Sequence, residues 1–330
     1  MNRLSPRLLT ICALLITLSA ALGVWSLGSG AVPLSAGQVL DALLGFAPRN
    51  ISLVVVEWRL PRVLMALLIG AALGVSGAIF QSLMRNPLGS PDVMGFNTGA
   101  WTGVLIAMVL FGQQHTAIAA AAMIGGVATS LVVWLFAWRN GIETFRLIII
   151  GIGVRAMLVA FNTWLLLHAS LETALSAGLW NAGSLNGLTW AKTIPSAPLM
   201  LLALVAGALL VRRMRLLEMG DDSACALGVS VERSRLWLML IGVILTAAAT
   251  ALAGPISFIA LVAPHIARRL SGTSRWGLLQ AALCGATLLL LADLCAQRLF
   301  MPYQLPVGVV TVSIGGLYLI ALLIQESRKK

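Results

Sequence analysis

The sequence predicts an all-α polytopic membrane protein with about ten transmembrane helices, arranged as one domain over residues 1–330. Of its 330 residues, 59% are hydrophobic and only 10% are charged, whereas soluble domains carry about 25% charged residues. Several apolar runs contain no charge over the roughly 20 residues that a helix needs to cross a bilayer. Lipid is therefore the expected solvent for most of the chain.

Ten apolar segments are predicted. Ile256–Ile266 is too short to cross a membrane, so we expect it to pack inside the bundle, where protein can satisfy an interrupted backbone. The segment Leu147–Leu167 carries Arg155 at its middle, and the ninth segment carries Asp293 near one end. In chain order the segments are Leu8–Leu27, Val63–Leu83, Val93–Gly112, Thr116–Trp138, Leu147–Leu167, Ile194–Val211, Leu236–Gly254, Ile256–Ile266, Trp276–Gln297 and Pro306–Ile324.

The basic residues predict the orientation of the chain. An even number of spans puts both termini on one side of the membrane. If that side is the cytosol, 16 Lys and Arg residues lie inside and 5 outside, with Arg155 within a span, as the positive-inside rule requires. The net charge of +11 then reflects membrane topology and does not indicate nucleic-acid binding, because the basic residues form short clusters between apolar runs.

Two glycine pairs have the spacing that lets helix backbones approach closely in lipid. Gly70 and Gly74 are four residues apart in the second segment, and Gly99 and Gly103 are four apart in the third. Both pairs predict close helix packing.

The sequence encodes no energy source for transport. A P-loop needs GxxxxGK[ST], and the three lysines, Lys192, Lys329 and Lys330, do not fit it. An ion-driven carrier normally has carboxylates deep in its spans; Asp293, near the outer end of one span, is expected to be structural. The cysteines and histidines show no metal-ligand spacing, so no metal or cofactor is expected. An ion-coupled secondary transporter and a membrane-embedded enzyme stay open as alternatives to a transporter driven by a separate ATPase.

The longest predicted inner loop, residues 212–235, is also the most densely charged stretch of the chain. Asp221 or Asp222 can cap a short helix over Ser223–Leu227, which Gly228 can end. The loop is either a docking surface for a partner or a solvated connector, and the residue pattern does not decide between them.

In its motifs the chain resembles the permeases of ABC importers for iron–siderophores, haem and cobalamin. The resemblance runs from about residue 54 to residue 323. The first matching motifs are RLPR at Arg59–Arg62 and the run Gly70–Ala100, which is centred on Gln81 and Arg85-Asn86-Pro87-Leu88. The next are the group Trp180, Gly183-Ser184-Leu185 and Trp190, and then the group Gly220, Ala224, Leu227, Gly228 and Val229. The last are Ala253–Gly272, which includes Pro264-His265 and Arg268, then Asp293, and finally Leu305–Thr311.

This resemblance implies the ten-helix fold of the vitamin B12 permease and a place in the bacterial inner membrane with cytoplasmic termini. It implies two permease subunits, the second identical or homologous, two copies of a cytoplasmic ATPase and a periplasmic binding protein. Gly220, Ala224, Leu227 and Gly228 would couple to the ATPase. The arginines Arg59, Arg62 and Arg298 would dock the binding protein, unless they merely anchor helix ends at the headgroups. The expected cargo is a ferric siderophore, ferric enterobactin first; cobalamin, haem or another siderophore is the alternative.

The chain departs from the family pattern at several places. Gln297 stands where arginine is usual, so the docking role moves to Arg298, and Gln304, Leu317 and Ala260 replace glutamate, proline and glycine. These changes should leave the fold intact but alter the shape of the pathway. His265 is expected to bond a helix end and not to act in catalysis.

Arg155 is a further departure, since related permeases usually have a small residue there. A central arginine costs at least about 2.5–3.5 kcal/mol on insertion scales, so it should not face lipid. It either makes the translocation pathway tolerant of an anionic cargo or bonds backbone carbonyls of a neighbouring helix.

Overall fold

The structure is a computed structural model that describes residues 6–30, 32–112, 114–138, 144–272, 277–300 and 303–327. These residues form α-helices joined by short connections, with one π-helical segment at Leu53–Arg59 and one 3₁₀ turn at Pro91–Met94. The helices are α1 (Pro6–Gly28), α2 (Ala36–Leu44), α3 (Arg49–Ser52), α4 (Leu60–Met84), α5 (Phe96–Phe111), α6 (His115–Ala137), α7 (Thr144–His168), α8 (Leu171–Asn181), α9 (Trp190–Glu218), α10 (Asp221–Ala226), α11 (Val231–Ala253), α12 (Ile259–Ser271), α13 (Leu278–Arg298) and α14 (Val307–Ser327).

Each of the ten predicted apolar segments overlaps a helix of the described residues. Within the described residues, seven helices are long and apolar enough to cross a membrane: α1, the continuous run from α3 through α4, α6, α7, α9, α11 and α13. Helices α5 and α14 are shorter apolar helices, and α12 has 13 residues. The helical character of the predicted fold is confirmed; the number of spans stays a prediction.

Helix α4 is the centre of the bundle. It packs against α9, α11, α12 and α13, and it is more buried than any other long apolar helix among the described residues. By contrast, α1, α7 and α9 bury little of their apolar surface. Large apolar side chains on their outer faces are exposed, which is expected where lipid or another subunit covers them.

Glycines bring the backbones of neighbouring helices into contact, as both glycine pairs predict. A Cβ atom on Gly74 of α4 would overlap the carbonyl oxygen of Ala281 on α13, and Gly70 meets Gly285 in the same way. Gly103 of α5 lies equally close to the backbone of α6. Close van der Waals packing is what holds helices together in lipid, where the hydrophobic effect does not drive their association.

The helix that carries RLPR begins earlier than the sequence analysis placed it. It is continuous from Arg49 to Met84, and its π segment ends just before Pro61. Proline has no N–H to donate and its ring clashes with the preceding turn, so the turn widens. In a π-helix the carbonyl of Val56 would accept a hydrogen bond from the N–H of residue 61, which a proline lacks. The indole N–H of Trp190 donates to this carbonyl instead, at 2.9 Å.

A buried ion pair ties the start of α4 to the end of α13. Arg62 donates Nε to Asp293 Oδ2 at 2.9 Å and Nη2 to Asp293 Oδ1 at 2.8 Å. The side chain of Asp293 is 0% exposed and that of Arg62 is 17% exposed. Gln297 adds a third hydrogen bond, from Nε2 to Asp293 Oδ2 at 2.8 Å. Asp293 therefore has the structural role that the sequence analysis expected.

We predict that Arg62→Met lowers the free energy of unfolding by about 3–5 kcal/mol, because it leaves the Asp293 carboxylate buried and unpaired. The double variant Arg62→Met/Asp293→Leu should recover most of that loss, since an apolar pair replaces both charges. Thermal melting of the purified chain in detergent measures both effects, with Arg49→Met, at an exposed arginine, as the control. A double variant that melts no higher than the single one would contradict this account.

Candidate functional site: two ends of the bundle and a lateral cavity

The residues predicted to have functional roles lie in three places. Arg59, Arg62 and Arg298 lie at the end of the bundle where α4 begins, and Gly220, Ala224, Leu227 and Gly228 lie at the end where it finishes. The 25 residues of α4 separate the two ends by about 37 Å at 1.5 Å per residue. Arg155 lies in neither group, because it lines a cavity on the side of the bundle.

The short helix predicted in the loop 212–235 is present as α10, which has six residues. It begins after Gly220 (φ +113°) and is followed by Gly228 (φ +78°), two backbone conformations that favour glycine. Ala224 is fully buried, whereas Leu227 is 60% exposed. The turn thus presents an apolar side chain outward while its alanine packs against the bundle, a shape suited to insertion into a partner.

The prediction that Asp221 or Asp222 is the N-cap residue of this short helix is wrong. Neither Asp221 nor Asp222 precedes the helix: Gly220 is the N-cap residue, without a side-chain cap, and Asp221 is the first helical residue. The reason is tertiary, since the Asp221 carboxylate accepts hydrogen bonds from Arg85 at 2.6 Å and from Arg235 at 2.9 and 3.1 Å. A local capping rule cannot anticipate two arginines from other helices.

Arg85 connects the end of α4 to this region. It ends α4 in the left-handed conformation (φ +47°), which is uncommon for a residue with a side chain. From there its Nη2 donates to the carbonyl of Leu217 at 3.0 Å as well as to Asp221. Ser82 of α4 also donates to Glu218, at 3.1 Å. The ends of α4 and α9 and the start of α10 are therefore joined by side-chain hydrogen bonds.

At the opposite end the three arginines differ in what they contact. Arg59 donates Nη1 to the carbonyl of Leu27 at 2.7 Å and Nη2 to that of Val32 at 2.8 Å, which fixes the connection after α1. Arg62 is held by Asp293. Arg298 is exposed and lies close enough to Arg59 for their charges to repel. The structure thus brings two cations together at this end and places the third in an ion pair.

The lateral cavity has a volume of about 580 Å³. Helices α5, α7 and α14 form most of its wall, with residues at the end of α8 and after α11. Of the described residues that line it, Arg155 is the only one with a charged side chain. Uncharged polar side chains contribute at Asn97, Thr98, Asn162, Thr163, Asn181, Ser257 and Ser313.

Arg155 is exposed to the cavity in the single chain. The hydrogen bonds of the described residues include none from its guanidinium to a backbone carbonyl, which was one of the two predicted roles. A carboxylate, Asp92, approaches from the connection between α4 and α5. Burial raises the pKa of Asp92 to about 6, although the charge of Arg155 and a hydrogen bond from Asn97 both act to lower it.

Sequence reasoning missed Asn162. It lies seven residues after Arg155 on α7, two helical turns away and on the same face. Its side chain is only 3% exposed, and neither polar atom has a hydrogen-bond partner among the described residues. The signal that could have found it was a second polar residue at i+7 from a charged one in an otherwise apolar span. An unsatisfied buried amide is costly, which makes Asn162 a candidate for a functional role in the cavity wall.

Two further sets of contacts join helices of the bundle. His265 contacts the hydroxyl of Tyr318 on α14 at 2.6 Å through Nδ1; its bond to a helix end stays a prediction. Gly183, with φ +69°, lets its carbonyl accept from Gly308 at 3.0 Å, and Ser184 donates to Ala253 at 2.7 Å. These bonds hold the ends of α11 and α14 together at the cavity rim.

Comparison with known proteins agrees with this architecture. The chain matches the FecCD transport family over residues 15–325. It is 81% identical over 326 residues to the ferric enterobactin transport system permease protein of Escherichia coli (strain K12), covering 99% of each chain. It is 39% identical to the achromobactin permease protein of Dickeya dadantii (strain 3937), over 95% of this chain and 91% of that one.

More distant relatives carry other cargoes by name. The chain is 36% identical to the hemin transport system permease protein of Yersinia pestis, over 100% of this chain and 99% of the other. Among solved structures, it superposes with a TM-score of 0.86 and 29% identity on an inward-facing transporter of the metal-chelate ABC type, covering 96% of this chain and 99% of that chain. The chain therefore belongs to the FecCD transport family.

Proposed function

We propose that this chain is the permease subunit of an ABC importer that carries ferric enterobactin across the bacterial inner membrane. The observation that supports this cargo above others is the 81% identity over 99% of both chains to a ferric enterobactin permease. Identity to the achromobactin and hemin permeases is 39% and 36%. The chain is a transport subunit, and a separate ATPase hydrolyses the ATP.

The cavity supports an anionic cargo. Ferric complexes of catecholate siderophores are strongly anionic, whereas haem and cobalamin carry much less negative charge. Arg155 offers a cation, and Asn162 an amide whose hydrogen bonds are unmade within the described chain. We infer that this cavity is one half of the translocation pathway. Asp92, close behind Arg155, would keep the site from holding the anion too tightly, because passage needs weak binding.

The exposed apolar surface supports a second permease subunit. Large apolar side chains are exposed along α7, α8 and α14, which flank the cavity. A second chain packed there would enclose the pathway between two subunits. We propose a homologous permease in that position, two ATPase copies at the α10 end and a binding protein at the Arg59 end, with both termini of this chain in the cytoplasm.

The two ends of the bundle then have separate tasks. Gly220, Ala224, Leu227 and Gly228 would form the contact with the ATPase, and the exposed Leu227 would be its apolar anchor. Arg59 and Arg298, which repel each other, would attract acidic side chains of the binding protein. Arg62 would contribute less to docking than the sequence analysis proposed, because Asp293 already holds two of its donors.

The proposed cargo is tested by uptake in a strain that lacks this permease. Expression of the chain with its partner subunits should restore accumulation of radiolabelled ferric enterobactin but not of haem, cobalamin or a ferric hydroxamate. The purified chain without its ATPase should hydrolyse no ATP. Restored uptake of one of the other cargoes alone, or uptake driven by an ion gradient without ATP, would overturn the proposal.

A second prediction concerns Arg155. If its charge serves an anionic cargo, Arg155→Lys should retain most of the ferric enterobactin uptake, whereas Arg155→Gln and Arg155→Ala should reduce it at least about tenfold, or 1.4 kcal/mol, at equal abundance in the membrane. Thr163→Val, which also changes the cavity wall but removes no charge, is the control. Equal uptake by the lysine and glutamine variants would show that the charge is irrelevant.

Docking of the binding protein is tested by charge reversal. Arg298→Glu should weaken the complex on the order of tenfold, about 1.4 kcal/mol, and the loss should shrink at high salt because exposed charges are screened. Arg49→Glu, at an exposed arginine of the same predicted face, is the matched control. Binding to immobilised loaded binding protein gives the affinities. If both variants bind as the wild type does, Arg298 has no docking role.

A further inference from the structure

One carboxylate joins the predicted ATPase contact to the rest of the bundle. Asp221, at the start of α10, accepts a hydrogen bond from Arg85 at 2.6 Å and two from Arg235 at 2.9 and 3.1 Å. Arg85 ends α4 and Arg235 lies in the first turns of α11. The same guanidinium of Arg85 also reaches the carbonyl of Leu217 on α9. Hydrogen bonds of two arginines and one aspartate therefore connect four helices, α4, α9, α10 and α11.

The exposure of this cluster argues against a purely stabilising role. The side chains of Arg85 and Asp221 are 45% and 44% exposed, whereas that of Arg235 is 15% exposed; ion pairs with an exposed partner contribute little to folding stability. Arg85 also adopts a left-handed backbone conformation that side chains disfavour. A strained, exposed and convergent arrangement points to a task other than holding the fold together.

We propose that Asp221 is the positioning residue through which movement of α10 reaches α4 and α11. This inference rests on the proposed function of α10 as the ATPase contact. When the ATPase displaces α10, the two arginines would make the ends of α4 and α11 follow it. Without the carboxylate, α10 would move on its flanking glycines, Gly220 and Gly228, and leave the two long helices behind.

A continuous set of contacts leads from this cluster to the cavity. Within the bundle, Ser76 of α4 bonds Thr246 of α11 at 2.8 Å and donates to the Gly242 carbonyl at 2.8 Å, so the two helices are joined at a second level. One turn beyond Thr246, Thr250 donates to the side chain of Asn97 at 3.2 Å. Asn97 lines the cavity. A shift of α11 as a rigid rod would therefore move a group in the cavity wall.

The test compares uptake with ATP consumption in the fully assembled importer, reconstituted in proteoliposomes with its binding protein and ferric enterobactin. Asp221→Asn removes the charge but keeps the size of the side chain. We expect it to keep the ATPase bound and hydrolysing while cargo imported per ATP falls at least fivefold. Asp221→Glu, which restores the carboxylate, should recover much of the ratio. If Asp221 were merely structural, the variant would lower the abundance of the assembled importer, and the importers that remain would carry as much cargo per ATP as the wild type does.

The matched control is Glu232→Gln, which makes the same charge change at an exposed position in the first turn of α11. Its ratio should equal that of the wild type. Equal ratios for Asp221→Asn and Glu232→Gln would overturn the proposal. If Asp221→Asn does not accumulate, Arg235→Gln is measured in the same way, because it removes the α11 side of the contact and should also lower the ratio; an unchanged ratio there overturns the proposal as well.

A third variant separates this proposal from the one on which it rests. Leu227→Asp places a charge on the exposed apolar side chain of α10 and should release the ATPase. If the ATPase stays bound and transport continues, α10 is not the ATPase contact and both proposals fail. If Leu227→Asp releases the ATPase while Asp221→Asn transports with the wild-type ratio, only the role of Asp221 is wrong.

Discussion

The close approach of α4 to α13, through glycines on both helices, is the constraint on which the positions of the functional groups depend. In lipid, helices gain nothing from hiding apolar surface from one another, so packing quality decides where they lie. Here Gly70 and Gly74 let the backbones touch. Because α4 carries Arg62 at one end and Arg85 at the other, its packing against α13 fixes the positions of these two arginines at the two ends of the bundle.

The charged groups of the chain are used in two different ways. Asp293 and Arg62 form a buried ion pair and do not line the cavity, so their charges cancel and their hydrogen bonds define how two helices meet. Arg155 and Asn162 have the opposite character, since both lie in the wall of a cavity. The described residues give the Asn162 amide no hydrogen-bond partner, and Arg155 interacts with the nearby carboxylate of Asp92. Groups of the first kind stabilise a bundle, whereas polar groups in a cavity wall within a membrane are candidates for a functional role.

The sequence located most of the architecture because its signals are local. Length and apolarity define each segment, basic clusters define the predicted orientation, and the glycine spacing forecast the contacts of α4 and α5. The family motifs around Gly220 likewise marked the place where α10 forms. The prediction of the α10 cap is wrong because it depends on a residue far away in the chain: Arg85, which binds the Asp221 carboxylate, lies 136 residues before it. The contact of His265 with Tyr318, 53 residues further along, has no local signal either.

What the sequence by itself determined was the solvent of this protein, the positions of its helices, its family and the anomaly of Arg155. What only the tertiary structure decided was the direction in which each helix faces. A helix in lipid is apolar on all sides, so no amphipathic stripe tells which face meets a neighbour, a cavity or the membrane. The packing of the whole bundle therefore decided that Arg155 and Asn162 share a cavity, that Arg62 is committed to Asp293, and that Asp221 joins α10 to two long helices.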